Sequence, residues 1–258
     1  MDIGTGKPSV EELKQIKHHL INIVDFTTNY TAYNFYIDAL RIIKRLGKRN
    51  RIPILTGGTG LYLKTLIDGI FIGPGPDIFL RKCWDNIQTI ELYKKLQTLD
   101  EKSAKKLSQN DRPRITRALE VILNTGMSIE EHRRLYTAPY SGKILYIYLT
   151  LPRDELYNRI NTRVEKFFLM GWIDEVRAGL EKGAKDIFMR TIGYKEIMNY
   201  LKTDIDRNKL IEEVKKQTRR YAKRQMTWFR NTKNIIETDV RDFDRIIKHI
   251  EKFMNSNL

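Results

Sequence analysis

Cysteine is nearly absent. Cys83 stands alone among 258 residues, so no disulfide can form within the chain and no cysteine-rich metal site is available. Histidine is scarce too: His18, His19, His132 and His249 have no spacing that a zinc site or a nucleophile triad uses, and are expected to be structural or surface residues. Any metal would be held by oxygen ligands and substrate phosphates. No run of about 18 apolar residues occurs, and no charged-then-apolar leader opens the chain. A membrane partner is therefore not expected, and the cytoplasm is the expected compartment. Acidic residues are in deficit, with 32 Asp+Glu against 47 Lys+Arg, and the net charge of +15 exceeds what solubility requires. That excess predicts an anionic partner.

What is present is enough for a sizeable core, read as one main domain with an insertion. Helices are expected at Glu11 to Lys17 and at Thr31 to Leu46, the second with Phe35, Ala39, Ile42, Ile43 and Leu46 on one face and Gly47 at its end. Ile52-Pro53-Ile54-Leu55-Thr56 reads as a short buried parallel strand, and Leu61 to Ile67 as the helix after it. Gly73-Pro74-Gly75-Pro76-Asp77 breaks the chain, and the polar helical segment to about Gln109 is the expected insertion. A helix at Ile115 to Leu123 closes at Gly126, and Ile144 to Leu149 is a second expected strand. From Pro152 a long helix runs with Leu156, Ile160, Val164 and Phe167 on one face. It breaks near Gly171, Ile173, Val176 and Leu180 carry the pattern on to Gly183, and the remainder is expected to be helical to the end.

Several segments carry candidate chemistry. Gly4-Thr5-Gly6-Lys7-Pro8 imitates a Walker A loop but has Met1 where the first glycine belongs and Pro8 where Ser or Thr must follow the lysine, so an ordinary turn into a helix is expected. Gly57-Gly58-Thr59-Gly60 sits between the expected strand and helix, where bare amides and the helix dipole favour an anion. The alternative is a glycine turn chosen for backbone freedom alone. Arg114 and Arg117 leave one face of a helix and can fork onto phosphate oxygens, or simply pair with Asp111 and Glu120. Arg190 precedes a turn containing Gly193. Lys215 to Lys233 holds eight basic residues and no acidic one. Wound as a helix, it sets Lys216, Arg219, Arg220 and Lys223 against an apolar side of Val214, Tyr221, Ala222, Met226 and Phe229, and the aromatics are assigned to the core. Uncompensated charges in that number favour a polyanion.

Taken in order, these segments resemble the tRNA dimethylallyltransferases, also called isopentenyl-diphosphate tRNA transferases. Met1 to Pro8, His18-His19-Leu20, Tyr30-Thr31 before Phe35, Gly57 to Tyr62, Asn110 to Val121, Ile192-Gly193-Tyr194 and Ala222 to Arg230 carry the likeness. It implies an α/β fold, a phosphate-loop NTPase or kinase-like parallel sheet core with a helical insertion, divided as core 1–76, tRNA-binding insertion 77–109, core 110–235 with the basic helix, and a C-terminal helix 236–258. It implies transfer of a dimethylallyl group from dimethylallyl diphosphate to N6 of the adenosine at position 37, beside the anticodon, with Mg²⁺ arriving on the substrate. By this resemblance Thr59 contacts the nucleotide to be modified, and Arg190 binds the diphosphate with Gly57 and Gly58 as further candidates. Pro113, Arg114, Ile115, Thr116 and Arg117, with Arg219, Arg220, Lys223, Arg224 and Arg81, hold the tRNA. The family's Walker A strand and loop, and the Asp that serves as general base, have no counterpart from Met1 onward. The core is accordingly expected to be N-terminally incomplete and the chain weakly active or inactive. The chain is expected to be a monomer. A non-catalytic tRNA-binding remnant and a transferase for free adenine nucleotides remain as alternatives.

Overall fold

The computed structural model describes residues 1–71, 73–137 and 139–256, which fall into two compact units, Met1–Gly60 with Gly142–Leu258, and Leu61–Ser141. No helix is long and apolar enough to cross a membrane among the described residues.

The chain enters the first unit through a turn in which the Gly6 amide donates to Ile3 O and the Lys7 amide to Asp2 O. Ser9 and Glu12 form a capping box that starts α1 (Val10–Gln15), and Thr31 with Asn34 start α2 (Ala32–Gly47) in the same way. Ala39 is the buried centre of the apolar stripe expected on α2. Both helices are borne out.

The second unit holds α3 (Gly60–Ile67, entered from the last residue of the first unit), α4 (Ile78–Trp84), α5 (Thr89–Leu99), α6 (Glu101–Lys105), α7 (Arg112–Thr125) and α8 (Ile129–Tyr136). The insertion expected at 77–109 lies inside it. Asp111 caps α7, Pro113 occupies its first turn, and Gly126 ends it in the left-handed conformation at φ 71°. Trp84, Leu92, Tyr93, Leu96, Ala104, Ile115, Ala118 and Leu119 form the core between α4, α5, α6 and α7.

Back in the first unit come β1 (Ile147–Thr150), α9 (Arg153–Leu169), α10 (Trp172–Glu181), α11 (Lys185–Phe188), α12 (Tyr194–Tyr200), α13 (Arg207–Arg230), β2 (Ile236–Asp239) and α14 (Phe243–Asn255). The break near Gly171 is present, at φ 90°. The core joins Val164 and Phe168 of α9, Trp172 and Val176 of α10, Phe188, Tyr194, Ile197 and Met198, and Leu210 and Val214 of α13, with Met1 and Ile3 packed on it.

Two expectations are corrected. The segment after α13 is not helical throughout: Ile236–Asp239 is a strand, paired in parallel with β1 in the register Ile147 to Ile236 and Thr150 to Asp239. Its four residues are too few to display a period, and Thr238 is the one that turns inward, with little exposure. The run 52–56 is not a strand. The sheet of the described residues contains only β1 and β2, so this run has no ladder, and Ile52 and Ile54 are 53% and 84% exposed. The architecture is thus mostly helical with a small parallel sheet.

Candidate nucleic-acid interface

Helix α13 is the platform. Asp206 caps it by accepting from the amides of Asn208 and Lys209, and Val214 and Phe229 anchor its buried side, Phe229 stacked on Tyr148 of β1 at 5.5 Å. The turned-out side carries the charge, but not all eight cations are free. Lys215 is buried between Glu165 and Glu212 at 2.6 and 2.7 Å, and hydrogen bonds to these carboxylates hold its pKa above the ordinary lysine value. Lys216 pairs with Glu213 at 3.3 Å. These two are therefore compensated, contrary to the expectation. Arg219 donates to Asn161 Oδ1 at 2.6 Å, while Arg220, Lys223, Arg224, Arg230 and Lys233 have no carboxylate within ion-pair distance among the described residues.

A second correction concerns the aromatics. Tyr221 and Trp228 are exposed rather than core, because only Val214 and Phe229 of the proposed apolar side are buried. Arg224 lies over the Tyr221 ring at 5.5 Å. Gln217, Arg220, Lys223, Arg224, Thr227, Trp228 and Asn231 line a cavity of about 590 Å³.

The glycine loop lies against this helix. Gln225 Nε2 donates to Gly58 O at 3.1 Å, and the Gly60 amide closes on Gly58 O at the same distance. A methyl group on Gly60 would fall 2.1 Å from the Trp228 indole nitrogen, so glycine is required there by close approach. Thr59, exposed between them, makes no side-chain hydrogen bond among the described residues. Gly57 is exposed as well, and among the described residues neither the Gly57 nor the Thr59 amide is taken up by the backbone. The structure therefore brings Gly58, Thr59 and Gly60 together with the basic helix at Gln225 and Trp228.

Arg190 is exposed on the turn between α11 and α12. That turn is firmly held: the Thr191 hydroxyl donates to Ile187 O at 2.8 Å, the Gly193 amide to Glu196 at 2.6 Å, and Gly193 at φ 84° lies against Trp172. Behind it the Tyr194 hydroxyl donates to Glu175, whose other oxygen accepts from the amides of Asp2 and Ile3 at 2.8 and 2.7 Å. Burial, with Glu175 beside it, raises the pKa of Tyr194 far above the usual phenol range. This network was not anticipated, and nothing local in sequence announces a carboxylate that meets an amide 172 residues away.

In the second unit two of the candidates, Arg81 and Arg117, are tied to a single buried acid. Glu120, fully buried, accepts from Arg81 Nε at 2.5 Å, from Arg117 at 3.3 Å and from the Asp77 amide at 3.2 Å. Arg117 also donates to Pro74 O at 2.7 Å and covers Phe71. The salt-bridge alternative is thus what Arg117 adopts, and Arg114 likewise pairs with Asp111 at 3.2 Å while staying exposed. Pro113 is exposed beside it, whereas Thr116 donates back to Arg112 O at 2.8 Å. Ile115 is fully buried in the core, so its side chain is a packing group and not a surface contact. Arg112, given no role by the sequence, fixes α7 to the end of α4 through the carbonyls of Trp84 and Ile87. No cluster of three His, Cys, Asp or Glu able to hold a metal occurs among the described residues.

The chain is similar to known proteins in sequence and in fold. The family model described as IPP transferase matches residues 1–232. A protein of Thermosipho melanesiensis named tRNA dimethylallyltransferase is 42% identical over 261 residues, covering 99% of this chain and 86% of the relative. The full-length tRNA isopentenylpyrophosphate transferase of Bacillus halodurans is similar in structure with a TM-score of 0.69 at 36% identity, covering 99% of this chain and 83% of that one. A eukaryotic dimethylallyltransferase acting on tRNA aligns with a TM-score of 0.84 at 25% identity, over 98% of this chain and 69% of that one.

Proposed function

The chain belongs to the IPP transferase family, and we propose that it transfers a dimethylallyl group from dimethylallyl diphosphate to N6 of the adenosine at position 37 of tRNA, next to the anticodon. One observation carries the reading: the loop bearing Thr59 is fastened by Gln225 and Trp228 to the helix that presents Arg220, Lys223 and Arg224. A nucleotide offered to Thr59 thus has cations for its neighbouring phosphates on the same platform.

In the reaction the bond from N6 to the allylic carbon forms, the bond from that carbon to the diphosphate oxygen breaks, and N6 gives up a proton to a base, the departing diphosphate being the one the reaction itself supplies. The amine's lone pair is delocalised into the ring, so proton removal and close positioning matter more than intrinsic nucleophilicity. The base must leave the stack to react, and the cations of α13 hold the flanking backbone while it does so. Charge grows on the departing diphosphate, where Arg190, exposed on its rigid turn, supplies donors, with the amides of Gly57 and Gly58 as further ones. Arg81, Pro113, Arg114 and Arg117 extend the RNA contact in the second unit, within or beside the insertion 77–109. The described residues offer no cage for a resident metal, so Mg²⁺ is read as a companion of the diphosphate and no step is routed through it. The two-stranded sheet is read as part of a phosphate-loop kinase-like core, and the protein as a cytoplasmic monomer.

The test offers labelled dimethylallyl diphosphate with either unmodified tRNA or free adenosine monophosphate. Label is expected in tRNA and not in the mononucleotide. Label in the mononucleotide would favour a nucleotide transferase instead, and salt-sensitive tRNA binding with no transfer would leave only RNA binding.

A further inference from the structure

Trp228 of α13 is left open to solvent beside the glycine loop. Its indole is 43% exposed, whereas Trp84 and Trp172 are buried. The pyrrole edge rests on Gly60, next to Thr59, and the ring forms part of the wall of the cavity that Arg220, Lys223 and Arg224 also line. Polar groups of Gln217, Thr227 and Asn231 complete that wall. The cavity is wide open to solvent along one side of α13, so an extended strand can lie across it.

We propose that Trp228 is a stacking platform for the nucleotide adjacent to the one held at Thr59, with Arg220 and Lys223 on that nucleotide's phosphates. The combination decides the ligand class. A free phosphate needs the cations but not the ring, and an aliphatic group needs the ring but not three cations. A nucleotide in single-stranded RNA needs both, because every base has a π-face and every linkage a charge. Stacking tolerates any base, so Trp228 sets the position of the reactive adenosine along the strand without reading sequence. The close approach of Gly60 explains the geometry: with the loop pressed on the indole edge, a base stacked on the ring has its neighbour over Thr59. This inference rests on the RNA reading above and adds a residue and a nucleotide to it.

The experiment titrates an unmodified anticodon stem-loop at low salt into wild-type, W228F and W228L protein, following tryptophan emission and, in parallel, the anisotropy of labelled RNA. Emission is expected to fall in step with binding in the wild type and to stay nearly constant in W228F, since the two remaining tryptophans are buried. W228L is expected to bind about 5- to 150-fold more weakly. W228F, which keeps a smaller ring, should stay within about fivefold of wild type. A stem-loop with an abasic residue beside the target adenosine should erase the W228L penalty. RNA bound with unchanged emission, or with full affinity by W228L, would overturn the stacking while leaving the RNA reading intact. RNA that fails to bind the wild type would remove both.

Discussion

Gly193→Ala tests whether the turn beside Arg190 is held as described. Gly193 has φ 84°, and an added methyl would lie 2.0 Å from the outer edge of the Trp172 indole. Two penalties follow. A residue with a Cβ at φ 84° and ψ −49°, a sparsely populated region, costs about 1–3 kcal/mol. Forcing a methyl into a filled core costs about 1–3 kcal/mol more, because Trp172 is buried between Phe167, Phe168 and Tyr194 and has nowhere to go. The loss expected is therefore about 2–6 kcal/mol, a large part of the roughly 5–15 kcal/mol that a folded protein has. Urea unfolding followed by near-ultraviolet circular dichroism measures it. The same substitution in a W172F background separates the two parts, since a phenyl ring does not reach the position the methyl would occupy. There the loss should fall to the strain alone, about 1–3 kcal/mol. A G193A protein within about 0.5 kcal/mol of wild type, or an equal loss in both backgrounds, would refute the reasoning.

Glu120→Ala strands Arg81 and Arg117 without their shared acid; because both guanidinium groups keep solvent contact, about 1–3 kcal/mol is expected by thermal melting, with Gln at this position losing less. An unchanged melting temperature for E120A would contradict the hub. Neutralising Arg220 or Lys223 should lower the slope of log K against log salt for RNA binding by about 0.7–0.9 each, whereas Lys216→Gln, already paired with Glu213, should change it much less; equal effects at all three would contradict the charge map. The Asp239 carboxyl is held down at about 2 by its hydrogen bonds with Arg241. A depressed pKa contributes stability above the unfolded value near 3.8 that is lost as pH falls toward about 2, so D239N should be somewhat less stable than wild type at neutral pH, with a flatter acid limb, and the two should converge as pH falls toward about 2. An identical acid limb in wild type and D239N would rule this out.

The parts of the fold legible in sequence are those written in local signals. The glycines at 47, 126 and 171 mark helix ends in sequence by their backbone freedom, and each stands at a helix end in the structure. A helical period also tells which residues share a face, but not what covers that face, and so Tyr221 and Trp228 were assigned to a core that takes only Phe229. The run at 52–56 has the composition of a buried strand, yet strandhood depends on neighbours, and β1 pairs with the inconspicuous Ile236–Asp239 instead. The basic helix was legible as charge, while the pairing of Lys215 with Glu165 depends on how α9 lies against α13. Glu175 and Glu120 act through partners far along the chain. In sequence each is one more surface-type acid.

The central claim is tested most directly by mapping the modified base. Unmodified tRNA incubated with the protein and dimethylallyl diphosphate is digested, and mass spectrometry of the fragments locates any added dimethylallyl group. The account predicts the group on the adenosine next to the anticodon, with product lost in R190A and reduced in T59A. Product on another nucleotide, or an undiminished yield in R190A, would contradict it.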